Sequence, residues 1–341
     1  MSEEVGIRFR DDWLGLVVEE AIDPERPIVD PHFHFFDESE MFPHYRPPDL
    51  ERDAAGHDVR QAVFVQCLEH GYTTGPEHLQ PVGETEWIDG LATEAAQEPS
   101  GRIQIGAIVG DARLAFGSGI RETLEAHQAA SPRFRGIRDV GIWDPSPEID
   151  DGEGITGPNL YADPAFREGF SELDRMGLSF DAYQYHTQLP FLADLARAFP
   201  NTTIVLDHLG TPLGAGPYAG RREEVFAEWE KGIREVASCP NIVMKLGGLA
   251  MPWCGFGFER ADTPPTSDDF VSVLGRYFEH AIDCFGPSRC MFESNFPVDR
   301  LSLSYTVLWN AFKKMAKRYS ADEQNDLFMG TACRVYRLDE A

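Results

Sequence analysis

The run Asp30-Pro31-His32-Phe33-His34 closes a short apolar stretch that opens at Ile28. Alternate residues of a strand share a face, so Asp30, His32 and His34 are expected to point the same way. Two imidazoles at i and i+2 can hold one divalent ion, with zinc–nitrogen bonds of about 2.0–2.1 Å. Two further histidines end apolar runs: His186 follows Phe180-Asp-Ala-Tyr-Gln-Tyr185, and His208 follows Ile204-Val-Leu-Asp207. Of the other six, His44, His57, His70 and His78 fall in connections and His127 and His280 in helical patterns, where solvated or packing roles are expected.

Cations that could meet an anionic group accompany these histidines. Arg138 ends Phe134-Arg-Gly-Ile-Arg138, and its planar fork suits bidentate binding of a substrate carboxylate. Arg221 and Arg222 open a helical pattern, where basic residues oppose the dipole, which hints at an anion. Phe33, Phe35 and Phe36 are expected to pack against helices. Trp253-Cys-Gly-Phe-Gly-Phe258 reads equally as an apolar wall over a site or as ordinary loop packing.

These residues need elements to hold them. Candidate strands span Ile28–Phe35, Gln61–Gln66, Ile103–Val109, Phe134–Arg138, Leu178–Tyr185, Thr203–Asp207, Ile242–Leu246 and Cys290–Asn295. Their mostly continuous apolar runs suit parallel strands buried on both faces. Helical spacing recurs over Glu84–Ala96, Gly119–Ala130, Ala165–Met176, Leu189–Ala198, Arg222–Ala237, Asp268–Cys284, Tyr305–Tyr319 and Ala321–Met329. Strands each followed by a helix predict an α/β protein, a (β/α)8 TIM barrel. The Gly-rich turn of a nucleotide-binding open sheet is missing, and Gly117-Ser-Gly119 lacks the full pattern. Residues 1–27 read as an N-terminal arm and 28–341 as one barrel domain. The connections 39–60 and 139–163 follow strands, which places them on the face where barrels build active sites.

With 30 Lys and Arg against 57 Asp and Glu, the formal charge is −27, which repels phosphate backbones and anionic lipid. No nucleic-acid or membrane role is expected; a small-molecule partner is, and a homo-oligomer is compatible with the composition. Six scattered Cys and no basic, apolar leader point to reduced thiols and a cytoplasmic location.

Taken together, Asp30-x-His32-x-His34, His186, Asp207-His208-Leu-Gly210 and Met291-Phe-Glu-Ser-Asn-Phe-Pro297 resemble the amidohydrolase superfamily. The nearest branch is the amidohydrolase-2 group, which contains sugar lactonases, pyrone-dicarboxylate lactonases and muconolactone hydrolases. The resemblance runs from about Arg26 to Thr331-Ala-Cys-Arg-Val-Tyr-Arg337. It implies a (β/α)8 barrel with, often, one divalent metal at its mouth, and hydrolysis or decarboxylation of small carboxylated molecules. It further implies that His32, His34 and His186 are metal ligands and that His208 hydrogen-bonds the substrate. Zinc is the first expectation and manganese the second.

The last strand departs from the pattern. The family usually reads Gly-Ser-Asp-Trp-Pro there, whose Asp binds metal and acts as base; this chain reads Glu293-Ser294-Asn295-Phe296-Pro297. Asn295 cannot take a proton at neutral pH. Glu293, two residues earlier, can restore the charge as a ligand or as a partner to a histidine, or else pair with a cation such as Lys245. Asp299 is either a replacement base or a helix cap. The leading expectation is a hydrolase opening a lactone of a carboxylated small molecule, with Glu293, Asp299 or His208 as base. Metal-free water activation by His and Arg, a non-oxidative decarboxylase and a ligand-binding barrel without catalysis are the alternatives.

Overall fold

A computed structural model of the chain describes residues 9–37, 43–98, 101–149 and 157–339. Eight parallel strands run in chain order: β1 Pro27–Phe33, β2 Asp58–Val65, β3 Gln104–Asp111, β4 Phe134–Arg138, β5 Ser179–Ala182, β6 Ile204–Leu206, β7 Ile242–Leu246 and β8 Cys290–Phe292. The ends of the sheet meet where Phe33 bridges Phe296 in parallel, and Asn295 N–H donates to the His32 carbonyl at 3.0 Å. The result is a (β/α)8 TIM barrel.

The helices are α1 Asp11–Leu14, α2 Pro47–Asp53, α3 Val82–Ala95, α4 Ile120–Ala130, α5 Pro164–Met176 and α6 Leu189–Ala198. They continue with α7 Arg222–Ala237, α8 Ser267–Phe285, α9 Tyr305–Ala316, α10 Ala321–Asn325 and α11 Thr331–Tyr336. Side-chain caps start several of them. The Asp163 carboxylate accepts from Ala165 and Phe166 N–H ahead of α5, and Ser320 with Glu323 forms a capping box on α10. Two apolar layers result. Ile28, Phe33, Phe35, Phe64 and Phe180 pack outward against the helices, and Val29, Val63, Val65, Ala107, Val205 and Met291 fill the barrel. Ala332, Cys333 and Tyr336 of α11 join the inner layer, and Arg135, the second residue of β4, donates to the Tyr336 carbonyl at 2.8 Å, which sets α11 at the starts of the strands, opposite the site.

Gly117-Ser-Gly119, read as lacking the nucleotide-turn pattern, falls in a short 3-10 segment, Leu114–Gly119. Two expectations are corrected. The connection 39–60 is shorter than read, because α2 and the first residues of β2 lie inside it. Asp30 does not share a face with His32. The register of β1 on β2 shifts between Asp30 and Phe33, and Asp30 turns toward α9, accepting from Tyr305 Oη at 3.0 Å and Ser294 N–H at 3.0 Å. No helix of the described residues is long and apolar enough to cross a membrane.

Candidate active site

The site grows from the ends of the strands. His32 and His34 point into the mouth, 0 and 4 % exposed, with their Nε2 atoms 3.2 Å apart. His34 Nδ1 donates to the Val65 carbonyl at 2.8 Å, which leaves its Nε2 as a lone pair. Burial, and Arg138 nearby, hold His34 well below the ordinary imidazole range; burial and the Lys245 charge do the same to His32. Both rings are therefore neutral, the form that binds metals.

His208 arrives on unusual backbone. His208, Leu209, Gly210 and Thr211 all take positive φ, between 45° and 68°, a left-handed turn that costs about 1–2 kcal/mol for each side-chain-bearing residue. This turn swings the His208 ring back over the strand end, where Nδ1 lies 2.7 Å from Glu293 Oε1 and the backbone N–H donates to the same oxygen at 3.1 Å. Room for the ring depends on Gly248, whose φ is 69° and where a Cβ would lie 2.4 Å from His208 Nδ1.

Glu293 is fully buried. Burial pushes its carboxyl up, but His208 and then His32 outweigh it and hold the group at about 2. Its Oε2 sits 2.8 Å from His32 Nδ1. Lys245 pairs instead with Asp181 at 2.6 Å and Asp207 at 3.1 Å, and its Nζ lies 3.2 Å from His32 Nδ1. Burial opposes its charge, yet these carboxylates raise its pKa, so it stays a cation. Arg138 completes the group, with Nη1 3.4 Å from His32 Nε2 and 3.8 Å from Asp207, and with Nε lacking a partner.

Asn295 donates from Nδ2 to Asp299 Oδ1 at 3.0 Å, and Asp299 Oδ2 has no partner among the described residues. Burial lifts the Asp299 carboxyl to about 7, the Asn295 hydrogen bond opposing it. Asp299 also lies in the 3-10 turn Asp299–Leu301, but no side-chain cap bond is made there.

His186 stands apart from the histidine pair. Leu213 N–H donates to its Nδ1 at 3.3 Å, and Nε2 is buried without a partner. Its ring meets Tyr218 edge-on, with centroids 5.5 Å apart, and Tyr218 Oη donates to Asp144 at 2.6 Å. Among the described residues, the ligand atoms of His32, Asp207 and His208 fall within 4.8 Å of one another, a group that omits both His34 and His186. Arg221 is exposed and forks onto Glu224. Arg222 donates from Nη2 to the Cys254 carbonyl and lies over Phe256, while its buried Nη1 has no hydrogen-bond partner among the described residues. The expected wall divides: Trp253 joins Ile142, Ile149, Tyr185 and Leu213 in an apolar cluster of the loops, whereas Phe256 and Phe258 pack toward the helices.

A family model described as amidohydrolase matches residues 29–338, nearly the whole barrel. The chain belongs to the amidohydrolase family. A protein of Sinorhizobium fredii without assigned activity is 31% identical over 332 residues, covering 91% of this chain and 98% of its own. An L-fucono-1,5-lactonase of Burkholderia multivorans is 28% identical over 322 residues, covering 92% and 96%. A crystal structure of a B. multivorans amidohydrolase with bound zinc superposes with a TM-score of 0.71 at 23% identity, covering 92% of this chain and all of that one. With this family membership and lactonases among its relatives, the chain is a hydrolase.

The residues sequence reasoning underweighted are Asp181, Asp207 and Lys245. Each interrupts an apolar strand run or ends one, and a charge inside a buried strand needs a partner of opposite sign.

Proposed function

We propose that the site opens a lactone, the cyclic ester of a sugar-derived hydroxy acid, by hydrolysis. One observation carries the reading: two neutral imidazoles face each other through Nε2 at 3.2 Å, beside Arg138 and a buried carboxylate set. The lactonase names among the relatives support this choice of substrate class.

A divalent metal fits these residues. Two nitrogens on one tetrahedral zinc, with bonds of about 2.0–2.1 Å, stand roughly 3.3 Å apart, close to the spacing of the pair. Among the described residues, three buried carboxylates, Asp181, Asp207 and Glu293, face only the two cations Lys245 and Arg138, and neither Asp207 oxygen has a hydrogen bond. His32 and His34 would hold the ion, with Asp207 and His208 in reach of His32. Zinc is the first candidate, and bound metal supplies a polarised carbonyl and a more acidic water. His186 suits another task. Its Nδ1 lone pair is taken by Leu213 N–H and burial keeps the ring neutral, with a pKa of about 4, so Nε2 carries a proton to give to a substrate oxygen.

Of the three candidate bases, Asp299 fits best. Its Oδ2 is free of partners and its pKa stands near the working pH, whereas Glu293 is held ionised and occupied by His208. Asp299 takes one proton from water, the water oxygen bonds to the lactone carbonyl carbon, and the ring carbon–oxygen bond breaks. The departing ring oxygen takes the proton back from Asp299, and the new acid ionises to a carboxylate facing Arg138. The test is a panel of sugar lactones followed by pH-stat and NMR, with protein purified without chelator. Turnover of at least one lactone, lost in His32→Ala, is expected; carbon dioxide release from aromatic acids without lactone opening would replace the reading by decarboxylation.

A further inference from the structure

A cavity of about 360 Å³ lies outside the histidine site, between the loop after β2, the start of α3 and the loop after β3. Its wall includes Glu84, 2 % exposed on the first turn of α3. One Glu84 oxygen organises the loop after β2: Oε1 accepts from Glu69 N–H at 2.8 Å and Cys67 N–H at 3.2 Å. The other, Oε2, is buried without any partner among the described residues. A carboxyl oxygen left so costs about 1–3 kcal/mol unless something else meets it.

The surroundings say what would meet it. Glu69, Glu77 and Asp111 also line the cavity, while its two basic residues already face carboxylates, Arg113 on Glu77 at 3.4 Å and His78 on Glu122 at 3.2 Å. The potential at Glu84 therefore favours a cation. A chelated metal does not fit, since His/Cys/Asp/Glu ligand atoms cluster within 4.8 Å only at His32, Asp207 and His208 among the described residues. The rim is apolar instead: Leu68, Tyr72 and Phe116 line the cavity at 47, 36 and 47 % exposed. The loop is also held under backbone strain, with Leu68 at φ 65° and His70 at φ 53°, a feature that gathers at ligand clamps.

We propose that this cavity binds an organic ammonium ion with an apolar body, its charged nitrogen on Glu84 Oε2 and its hydrocarbon part against Leu68, Tyr72 and Phe116. Binding releases a proton. Burial first, and the neighbouring Asp111 charge, hold the empty Glu84 carboxyl at about 8, and an arriving ammonium draws it to the carboxylate. Glu69, Tyr72, Glu77, His78, Asp111 and Arg113 are the other titratable groups of the cavity wall among the described residues, and the Cys67 thiol donates to Glu84 Oε1 at 3.5 Å.

The experiment is calorimetric titration of the full chain at pH 7 with n-hexylammonium chloride, repeated in two buffers of different ionisation heat. Hexan-1-ol and hexanoate serve as neutral and anionic controls. One saturable site is expected, about tenfold tighter for hexylammonium than for hexanol, with most of one proton released. E84Q retains an oxygen for the Cys67 and Glu69 N–H groups and is expected to lose about tenfold in affinity. F116A, an exposed rim change, is expected to lose about threefold. Hexanol binding as tightly as hexylammonium, an undiminished E84Q, or no saturable heat overturns the proposal. No turnover is read, so failure here leaves the lactone reading standing.

Discussion

Asp299→Asn is the sharpest perturbation of the proposed chemistry, and it makes opposite predictions for activity and stability. Lifting a buried carboxyl from 3.8 to about 7 costs its ionised form about 4 kcal/mol in the folded protein. The folded pKa is raised, so the group's contribution to stability is whole below pH 3.8 and falls as pH rises through 7. At pH 8 the wild type carries most of that cost and the amide carries none, while Asn295 Nδ2 keeps an acceptor. Denaturant melts should find D299N more stable than wild type at pH 8 by a sizeable part of 4 kcal/mol, with the gap closing toward pH 4. Activity runs the other way. The base form is about one tenth of the wild type at pH 6 and about half at pH 7, so kcat/KM for a lactone substrate should climb about tenfold per pH unit below 7 and level off above. D299N should lose about 10²–10⁴ in kcat and that limb of the profile. A variant within threefold of wild type with the limb intact would refute Asp299 as base and turn attention to His208; a variant less stable than wild type at pH 8 would refute the burial argument itself.

Lys245→Met leaves Asp181 and Asp207 without their cation in the barrel interior, and denaturant titration at pH 7 should show a loss of about 3–5 kcal/mol; less than 1 would mean the carboxylates are neutral in the fold. Gly248→Ala places a methyl 2.4 Å from His208 Nδ1 at positive φ and should cost both about 2 kcal/mol or more and most activity. Gly257→Ala, at φ 76° with open space around it, should cost about 1 kcal/mol and leave turnover intact. His186→Gln keeps a donor but not a ring: metal content by mass spectrometry should stay unchanged while KM rises about tenfold. Loss of bound metal in that variant would restore His186 to the ligand set.

The barrel was readable because each parallel strand is a nearly unbroken apolar run, and strands such as Phe134–Arg138 and Ile242–Leu246 agree to the residue. Ends were harder where the strand stops early but the chain stays extended, as at Ala182, three residues before the expected Tyr185. His32, His34, His208 and Glu293 were legible as candidates because polar residues at the ends of such runs must have partners. Which partners they choose was not. Lys245 had Glu293 as its obvious neighbour across β7 and β8, but it lies closer to Asp181 and Asp207, contributed by β5 and by the turn after β6. Strict alternation along β1 failed at Asp30 because a register irregularity, invisible in composition, rotates that one side chain outward. Arg221 and Arg222 carried a charge signal but no geometric one, and their own helix and the loop after β7 take them up.

Hydrolysis of a lactone at the histidine pair is the chemistry proposed for this barrel. The direct measurement is lactone opening followed by NMR, with acid release in a pH-stat, by chelator-free protein supplied with zinc or manganese, wild type beside His32→Ala. One acid equivalent for each lactone opened is expected, at a rate well above the uncatalysed one, and its disappearance in the variant. Equal rates for wild type and His32→Ala across the panel, whatever ion is added, would contradict it.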